Sequence, residues 1–457
     1  MRSLLRTAAC LARAPVVPAR SRIVTMRGFA SSGDGGGPVK TPLYDFHVSR
    51  GATMVEFAGH SLPAVYKDST LSQSHLFTRS KASLFDVSHM VQHIISGSQA
   101  VNFLETVTPS EWGPMPLMKA KLTLLLWRNG GIVDDAVVTR LTEDKFYVVT
   151  NGACREKDIN YLKAELERFP GRKSVDWRVL EGNAIVALQG PEAAKVLAEA
   201  VCPDEDGKSP IDFNTFWFSG AAWARLRLAD GSASRQKVLI NRGGYTGEDG
   251  FELSFGVDED SKGGSASASS SDEAASVVEA MLRESGPERL RPAGLGARDS
   301  LRLEAGLCLY GQDLDDSTTP VEANLVFVMG KNRTGGFNGS EAIQPILKSP
   351  SNGGLGVTRR RVGLIVSGAP ARAGTELFYK GRKVGTVTSG MPSPSLRVNI
   401  AMAYVEEGLQ KLGTEFEAVV RGRKQLAVVT KMPFVPARYF KPPKVAKDKL
   451  GKKTTVN

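Results

Sequence analysis

The sequence predicts a protein of several domains that mixes helices with strands and ends in a small all-β domain. The chain has 457 residues, which is too long for one ordinary hydrophobic core. From about residue 41 to residue 330, strand-like and helix-like segments alternate. After residue 331 the segments become short strands separated by turns, a pattern typical of a small β-barrel or a sandwich.

The composition excludes several classes of protein. Hydrophobic residues make up 41% of the chain, as in ordinary globular proteins, and no apolar run is long enough to cross a bilayer. The four cysteines lie far apart, which argues against a disulfide scaffold or a structural zinc site. His89 and His93 could meet on a helix, but the β-branched residues after them favour a strand. No third ligand is evident, so we expect no metal. Because no apolar run is long enough to cross a bilayer, we expect no membrane partner either.

The charge is concentrated at the two ends of the chain. Residues 1–33 contain six arginines and no acid, which is typical of a mitochondrial transit peptide. Without these arginines the formal charge falls from +11 to +5, which argues against a nucleic-acid partner. Residues 441–457 form a second basic cluster, which we expect to be a solvated tail. The matrix of the mitochondrion is therefore the expected location.

The first region contains the clearest individual elements. Strands are predicted at 121–127, 136–141, 146–150 and 184–188, and helices at 157–169 and 192–201. One stretch near 257–276 is rich in Ser, Ala and acidic residues, and we expect it to be a disordered insertion. The later strands are predicted at 361–366, 376–379, 383–388, 401–405, 415–420 and 425–429.

Two adjacent carboxylates follow a glycine turn. Gly130 and Gly131 permit the backbone of a tight hairpin, and Asp134 and Asp135 lie at the entry of the next strand. Neighbouring residues of a strand point to opposite faces, so one carboxylate could enter a cavity while the other faces solvent or caps the turn. Ordinary turn chemistry is the alternative interpretation, since Asp is common beside hairpins.

A second candidate site combines a glycine-rich loop with a carboxylate. The loop at 243–250 indicates close approach of the backbone to a ligand or to another part of the chain, and Glu252 follows it on a strand. A carboxylate there suits a ligand with paired N–H donors, such as an aminopyrimidine ring. No Lys-Ser or Lys-Thr pair follows the loop, which excludes a P-loop.

A third candidate site is a helix that carries two arginines. Arg298 and Arg302 are four residues apart and share a helix face. A guanidinium there could hold a carboxylate of a ligand. The other interpretation is a helix stabilised by ion pairs with Asp299 or Glu304.

Seven segments together resemble one known family. They occur in family order over nearly the whole chain from about residue 41 to 439, and they are Thr41–His47, Ser83–Met90, Gly131–Asp135, Gly244–Gly250, Ala297–Leu307, Thr386–Leu396 and Lys431–Pro436. The family is that of the aminomethyltransferases, or T proteins, of the glycine cleavage system. The resemblance implies an α+β fold of three domains, arranged like a clover leaf around a folate pocket, with a β-barrel as the last domain.

The resemblance also implies the division of the chain and the residues of the site. Residues 34–330 would be the folate-binding region with two α+β subdomains, and 345–440 the barrel. Asp135 would be the catalytic carboxylate. The residues that contact folate or line its pocket would be Glu252, Arg298, Tyr439, Met90 and Tyr245. Two positions depart from the family pattern, since Ala136 replaces a usual Leu and His60 a common Trp.

The implied reaction transfers a one-carbon unit to tetrahydrofolate. Its donor would be an aminomethyl group on the lipoyl arm of the carrier H protein, with ammonia and the reduced lipoyl arm as the other products. Loose association with the P and L proteins is implied as well. Whether Asp135 would move a proton or act by its charge stays open from the residues alone.

Two other activities on this fold are alternatives. A folate-dependent demethylase, or the folate-binding half of a dimethylglycine or sarcosine dehydrogenase, is one of them, but no Gly-x-Gly-x-x-Gly unit for a flavin precedes the folate region. The other is a folate-binding iron–sulfur assembly factor, which has a characteristic Lys-Gly-Cys segment. This chain has Gly306, Leu307 and Cys308 at that place, without the lysine.

Overall fold

The structure is a computed structural model that describes residues 37–257 and 268–443, together with two-residue strands at 446–447 and 453–454. The predicted transit peptide lies outside the described residues, and so does most of the predicted basic tail. Within the described ranges, none of the helices combines the length and the apolar character needed to span a membrane.

An antiparallel sheet of five strands forms the first layer of the fold. Its strands, in spatial order, are Lys119–Leu126, Ile132–Arg140, Lys145–Thr150, Val91–Ser96 and Asp176–Leu180. Helices Ala100–Val107 and Arg155–Arg168 cover one face, because their buried residues Phe103, Leu104, Tyr161 and Leu162 share one core with the strands. The acid pair lies on the second strand of this sheet.

A sheet of six strands forms the second layer. Its strands are Ala221–Ala224, Val238–Arg242, Gly250–Ser254, Ile185–Gln189, Ala82–Asp86 and Leu290–Pro292. Helices Tyr44–Ser49, Ala193–Ala200 and Ala268–Ser285 pack against it. The chain passes from this sheet to the first within five residues, between Asp86 and Val91, so the two sheets lie next to one another.

The predicted disordered insertion is wrong in its second half. Helix Ala268–Ser285 begins within the Ser-rich stretch, and Ala274, Val277, Val278 and Met281 are buried in the core of the second sheet. The spacing of these residues is helical, and the apolar half of the helix extends it into the serines. Residues 258–267, the rest of the predicted insertion, lie outside the described residues.

The C-terminal strands close into a barrel, which decides between the two predicted architectures. Its six strands are Arg359–Val366, Asn399–Glu406, Arg382–Pro392, Glu376–Tyr379, Glu415–Val420 and Arg423–Thr430. The first strand pairs with the last over four residues, from Gly363–Thr430 to Val366–Ala427, and this pairing closes the barrel. All six strands predicted from the sequence are confirmed, with ends that differ by a few residues.

The remaining elements join the layers. A small sheet contains strands Val39–Lys40, Ala52–Phe57 and His60–Tyr66, and further helices are Leu71–Ser80, Leu295–Glu304 and Ser340–Ile346. Helix Leu295–Glu304, called the central helix here, contacts the barrel through Leu303, which packs on Ile400 and Met402. It therefore lies between the second sheet and the barrel.

After the last barrel strand the chain turns back over the first two layers. This return segment, residues 431–441, is held by backbone hydrogen bonds. The N–H of Val435 donates to the carbonyl of Glu304 at 3.0 Å, and that of Arg438 donates to the carbonyl of Gly247 at 2.8 Å. The N–H of Phe218 donates to the carbonyl of Phe440 at 2.7 Å. The return segment thus lies against the glycine-rich loop.

Candidate active site

The hairpin brings the two aspartates to opposite faces of their strand, as predicted. Asp134 is fully buried and faces the core with helix Arg155–Arg168, whereas Asp135 is partly exposed on the other face. The turn requires glycine, because a Cβ on Gly131 would lie 1.9 Å from the carbonyl oxygen of Asp316. Gly130 has a φ of 85°, which an L side chain rarely adopts.

Asn151 clamps both aspartates from the end of the neighbouring strand. Its side-chain Nδ2 donates to Oδ1 of Asp134 and to Oδ1 of Asp135, each at 2.9 Å. Its backbone N–H donates to the other oxygen of Asp134 at 2.8 Å. The orientation of the Asp135 carboxyl is therefore set before any substrate arrives. No spacing pattern predicts Asn151, because it lies 16 residues from Asp135 and strand pairing brings the two together.

The surroundings of Asp135 raise its pKa to near neutral pH. Burial raises the pKa of Asp135 to about 7, and the charge of Asp134 adds to the increase, while the Asn151 hydrogen bond opposes it. A carboxyl group with such a pKa can accept and release a proton at physiological pH, which is what general acid–base catalysis needs. Strong perturbation of this kind is common at functional sites.

Glu252 and Arg298 form an electrostatic pair beside this acid. Glu252 lies on strand Gly250–Ser254, opposite Ala187 and Asn241 in the register. Burial raises the pKa of Glu252, and the positive charge of Arg298 on the central helix counteracts that increase. Nη1 of Arg298 is buried and has no hydrogen-bond partner within the described part of the chain. An unpaired buried N–H is costly, so its presence indicates a ligand with an acceptor oxygen or nitrogen.

Tyr245 connects the acid to the arginine. The Arg298 guanidinium lies 4.9 Å from the centre of the Tyr245 ring, and the Tyr245 hydroxyl donates to the carbonyl of Cys308. Burial raises the pKa of Tyr245, and the charges of Arg302 and Asp135 act on it in opposite directions. The phenol is therefore neutral, and its ring lies against the guanidinium of Arg298.

Two further predicted residues complete the surroundings. Met90 packs against the buried cluster under the central helix, which includes Phe85 and Leu301. Tyr439 lies on the return segment and stacks on Phe218, with ring centres 4.4 Å apart. The anchored Arg438 places Tyr439 beside the glycine-rich loop that carries Tyr245.

Arg302, the second arginine of the central helix, is paired with other side chains of the protein. Arg302 forms ion pairs with Asp299 at 2.8 Å and with Asp313 at 2.7 Å, and its Nη2 donates to the Ser389 hydroxyl of the barrel. The ion-pair interpretation is thus correct for Arg302 and Asp299. Glu304 instead accepts hydrogen bonds from Arg79, whose Nη2 lies 2.9 Å away. Of the two predicted arginines, Arg298 has a buried nitrogen without a partner in the described ranges, whereas each side-chain nitrogen of Arg302 has one.

The glycine-rich loop is tight because it approaches its own chain. A Cβ on Gly244, which has a φ of 152°, would lie 2.1 Å from the side-chain oxygen of Gln189. A Cβ on Gly250 would lie 2.5 Å from the carbonyl oxygen of Leu188. Of the two predicted reasons for these glycines, contact with another part of the chain is the one observed. The loop thereby fixes Tyr245 and leads directly into Glu252.

His89, which the sequence suggested only as a possible metal ligand together with His93, is a neighbour of Arg298 in the candidate site. It is buried, and its ring centre lies 5.4 Å from that of Phe57 and 6.5 Å from that of His60. Burial, followed by the charge of Arg298, lowers the pKa of His89 to about 3, so the ring is neutral. Its Nδ1 has no hydrogen-bond partner within residues 37–257 and 268–443. The spacing to His93 and the place of His89 in the Ser83–Met90 motif were the sequence signals, and neither indicated a position beside Arg298.

Comparison with known proteins identifies the family. The model of the GCVT N-terminal domain matches residues 43–333, and that of the glycine cleavage T-protein C-terminal barrel domain matches residues 359–436. The probable mitochondrial aminomethyltransferase of Schizosaccharomyces pombe is 42% identical over 404 residues, covering 88% of this chain and 94% of that protein. The chain belongs to the glycine cleavage T-protein family.

Other members agree with this assignment. The mitochondrial aminomethyltransferase of Pisum sativum is 41% identical, over 88% of this chain and 91% of its own length. The crystal structure of glycine cleavage system aminomethyltransferase T from Bartonella henselae superposes with a TM-score of 0.73 at 35% identity, covering 88% of this chain and 99% of that one. The predicted T-protein family, α+β fold with a closing barrel, enzyme class and mitochondrial location are confirmed.

Proposed function

We propose that Asp135, Glu252 and Arg298 form the tetrahydrofolate site of this T-protein family member, with Met90, Tyr245 and Tyr439 as its walls. The observation that carries the proposal is that Nη1 of Arg298 has no hydrogen-bond partner within the described residues, although its side chain interacts with the Glu252 carboxylate and the Tyr245 ring. A pterin ring offers N–H donors to Glu252, and the same ligand offers acceptors to the guanidinium. A flat aromatic ligand also fits against tyrosine rings.

The proposed reaction breaks two bonds at one carbon and forms two new ones. The donor carbon is bonded to the lipoyl sulfur and to an amino nitrogen, and both bonds break. The same carbon becomes bonded to N5 and N10 of the folate, which lose one hydrogen each. One hydrogen goes to the departing nitrogen, giving ammonia, and the other goes to the sulfur, giving the reduced lipoyl arm. No change of oxidation state is needed.

Asp135 is the residue proposed to accept and release protons in this reaction. Its pKa of about 7 and its fixed orientation support a role as proton acceptor for a folate nitrogen. No covalent enzyme intermediate is required, since the reacting groups are both carried by substrates. The protein then contributes position and a charged group next to a carbon that becomes electron-poor.

Membership of the family indicates a carrier partner and a mitochondrial location, and we propose further details of both. Members of the family act with the H protein, which presents the lipoyl arm. Loose association with the P and L proteins, and residence in the mitochondrial matrix, are the finer parts of this proposal. The acid-free, Arg-rich residues 1–33 support the matrix location.

Reconstituted turnover tests the proposal directly. The full-length chain is incubated with tetrahydrofolate and an H protein whose lipoyl arm carries the aminomethyl group. We expect ammonia and methylenetetrahydrofolate in equal amounts. A folate-dependent demethylase would instead transfer the methyl group of a methylated amine to give methyltetrahydrofolate, and it would not use the carrier loaded with the aminomethyl group. An assembly factor would bind folate without turnover, and either result would contradict the proposal.

A further inference from the structure

Arg79 is buried between the elements that carry the proposed folate residues. It lies on helix Leu71–Ser80, and its side chain is 7% exposed. An arginine side chain has five N–H groups, and those of Arg79 make five hydrogen bonds within the protein. Its guanidinium is therefore fully used by the protein itself, unlike that of Arg298, which has a nitrogen without a partner in the described ranges.

Three of these hydrogen bonds reach the central helix. Nε and Nη2 of Arg79 donate to Oε2 of Glu304 at 3.1 and 2.9 Å. Nη2 also donates to the carbonyl of Leu301 at 3.3 Å. Burial raises the pKa of Glu304, but hydrogen bonds, first among them that of His75, lower it overall to about 2, so its carboxylate is charged. Arg79 is thus paired with the last residue of the helix that carries Arg298.

The other two hydrogen bonds reach the glycine-rich loop and, through it, the return segment. Nη1 of Arg79 donates to the carbonyl of Thr246 at 2.8 Å and to Oε1 of Glu248 at 2.7 Å. The same oxygen of Glu248 accepts a hydrogen bond at 2.9 Å from Nη2 of Arg438, which precedes Tyr439. The Glu248 side chain is fully buried, and its second oxygen has no partner in the part of the chain that the structure describes. Two arginines therefore balance this buried charge.

We infer that Arg79 is a positioning residue for folate binding. Through its two buried carboxylate partners it fixes the central helix, the glycine-rich loop and, by way of Arg438, the return segment. These three elements carry Arg298, Tyr245 and Tyr439, so the inference rests on the proposed folate site. A ligand that contacts all three side chains binds more tightly when they are held in place before it arrives.

The proposed catalytic carboxyl is held by a different set of contacts. Asp135 lies on the first sheet, and Asn151 orients it through a hydrogen bond of 2.9 Å. A change at Arg79 should therefore alter how tightly folate is held and leave the chemistry of Asp135 in place. The expected result is a higher dissociation constant and a higher KM for tetrahydrofolate, with little change in kcat.

Arg79→Lys tests the inference without removing the positive charge. A lysine has one compact ammonium group, so it cannot replace a planar fork that spans two carboxylates and two carbonyls. One of the two buried glutamates then loses this partner. We expect the dissociation constant for tetrahydrofolate, measured by calorimetry, to rise about tenfold, as for the loss of one hydrogen bond to a charged group. At saturating folate, kcat should stay within about twofold of the wild-type value.

The matched control is Arg140→Lys. The Arg140 side chain is also 7% exposed, and it also donates to several acceptors, including the carbonyls of Trp112 and Met115. These carbonyls lie just before the first strand of the first sheet, outside the elements that Arg79 joins. Thermal unfolding should show a loss of stability in both variants, whereas folate binding should weaken in Arg79→Lys and not in the control. Ion pairs that only stabilise the fold would not produce this difference.

Three results would overturn the positioning role. They are an unchanged dissociation constant in Arg79→Lys, an equal rise in Arg140→Lys, and a fall in kcat as large as the loss of binding. If Arg79→Lys does not fold, Arg438→Gln decides, because its side chain is 50% exposed and its loss releases the return segment alone.

Arg438→Gln should act on binding through Tyr439. We expect the dissociation constant to rise about threefold, as for a half-exposed ion pair. In a protein that already carries Tyr439→Ala, the same replacement should have no further effect, because the side chain that it positions is gone. An absence of any effect in the wild-type background, or an equal effect in both backgrounds, overturns the inference.

The inference and the proposed function fail in different ways. Wild-type folate binding by both Tyr439→Ala and Arg298→Ala overturns the proposed site, whatever the result for Arg79→Lys. Weaker binding in those two variants, together with unchanged binding in Arg79→Lys, overturns the positioning role of Arg79 and leaves the proposed site intact.

Discussion

The guanidinium of Arg298 lies over the ring of Tyr245, 4.9 Å from its centre, while one of its buried nitrogens has no hydrogen-bond partner within the described ranges. The aromatic contact stabilises the cation without using its in-plane donors. Those donors remain directed at whatever occupies the site. The relationship explains how a buried guanidinium nitrogen can still be available to a ligand.

Removal of this donor, or of its acidic neighbour, should weaken folate binding. We expect Arg298→Ala and Glu252→Gln each to weaken the free energy of folate binding by about 1.5–3 kcal/mol, the range for hydrogen bonds to charged groups. Isothermal titration calorimetry measures the change, with thermal unfolding recorded in parallel. Arg128→Ala is the control, because the Arg128 side chain is 68% exposed. Unchanged binding in both site variants would leave these residues as ordinary structural supports.

Replacement of the proposed catalytic carboxyl should affect turnover more than binding. Asp135→Asn keeps the hydrogen bond from Asn151 but cannot accept a proton, so kcat should fall by at least about a hundredfold. The dissociation constant for folate should change little. Asp176→Asn serves as control, since Asp176 lies on the same sheet with its side chain 64% exposed. Equal kcat values for Asp135→Asn and wild type would show that another group carries the reaction.

The same replacement should stabilise the fold at neutral and alkaline pH. The pKa of Asp135 is about 7 when folded against a usual value of 3.8, so the unfolded chain releases this proton first. The resulting penalty is absent below pH 3.8, grows as the pH rises towards 7 and is constant above. Full conversion of the shift would give about 4 kcal/mol, and solvent around the partly exposed group reduces this to about 1–2 kcal/mol.

Chemical denaturation of both proteins at pH 5 and pH 8 measures this effect. The stability gain of Asp135→Asn over wild type should be larger at pH 8. A gain that is larger at pH 5 would contradict the direction of the pKa shift.

Import should remove the N-terminal segment. Residues 1–33 have the composition of a transit peptide, and we expect the protein from purified mitochondria to begin near residue 30. Mass spectrometry of the N-terminal peptide determines the cleavage site. Recovery of matrix protein with an intact Met1 would exclude processing.

Docking of the carrier should depend on salt. Without the N-terminal arginines the chain still has a formal charge of +5, and complementary charge accelerates encounter between proteins. We expect the KM for H protein to rise with ionic strength, since exposed charges are screened beyond about 8 Å at physiological salt. A chain ending at Phe440 retains the contact with Phe218 and lacks the basic tail. A salt effect that survives this truncation places the docking face on the folded domains.

The fold could be predicted where local pattern and burial agree. The barrel strands and the hairpin with Asp134 and Asp135 follow from alternation and glycine turns, and the structure confirms them. The helix Ala268–Ser285 could not be read from composition, because its serines and alanines conceal an apolar face that continues further along the chain. Local composition describes what a segment contains, whereas its spacing describes what it can bury.

The site could be predicted in part only. Strand geometry alone predicts that the adjacent side chains of Asp134 and Asp135 point to opposite faces of the sheet. Asn151 and Asp158 reach them through strand pairing and helix packing over 16 and 24 positions of sequence, which no motif spacing encodes. Arg302 also forms an ion pair with Asp313, which comes from the loop after the central helix, and the sequence spacing does not predict this contact. The motifs identified the candidate residues, and the tertiary contacts determine which of their hydrogen-bond donors are paired within the described part of the chain.

The return segment has a consequence for biosynthesis. Tyr439 is among the last residues that the structure describes, yet it lies against the glycine-rich loop formed about 190 positions earlier. A ribosome releases these residues last, and an import channel that admits the N-terminus first delivers them last. The two sheets and the barrel can be complete while this wall of the pocket is still missing. If Tyr439 has its proposed role, a nascent or partly imported chain lacks a finished folate site until the residues up to about 440 have been delivered.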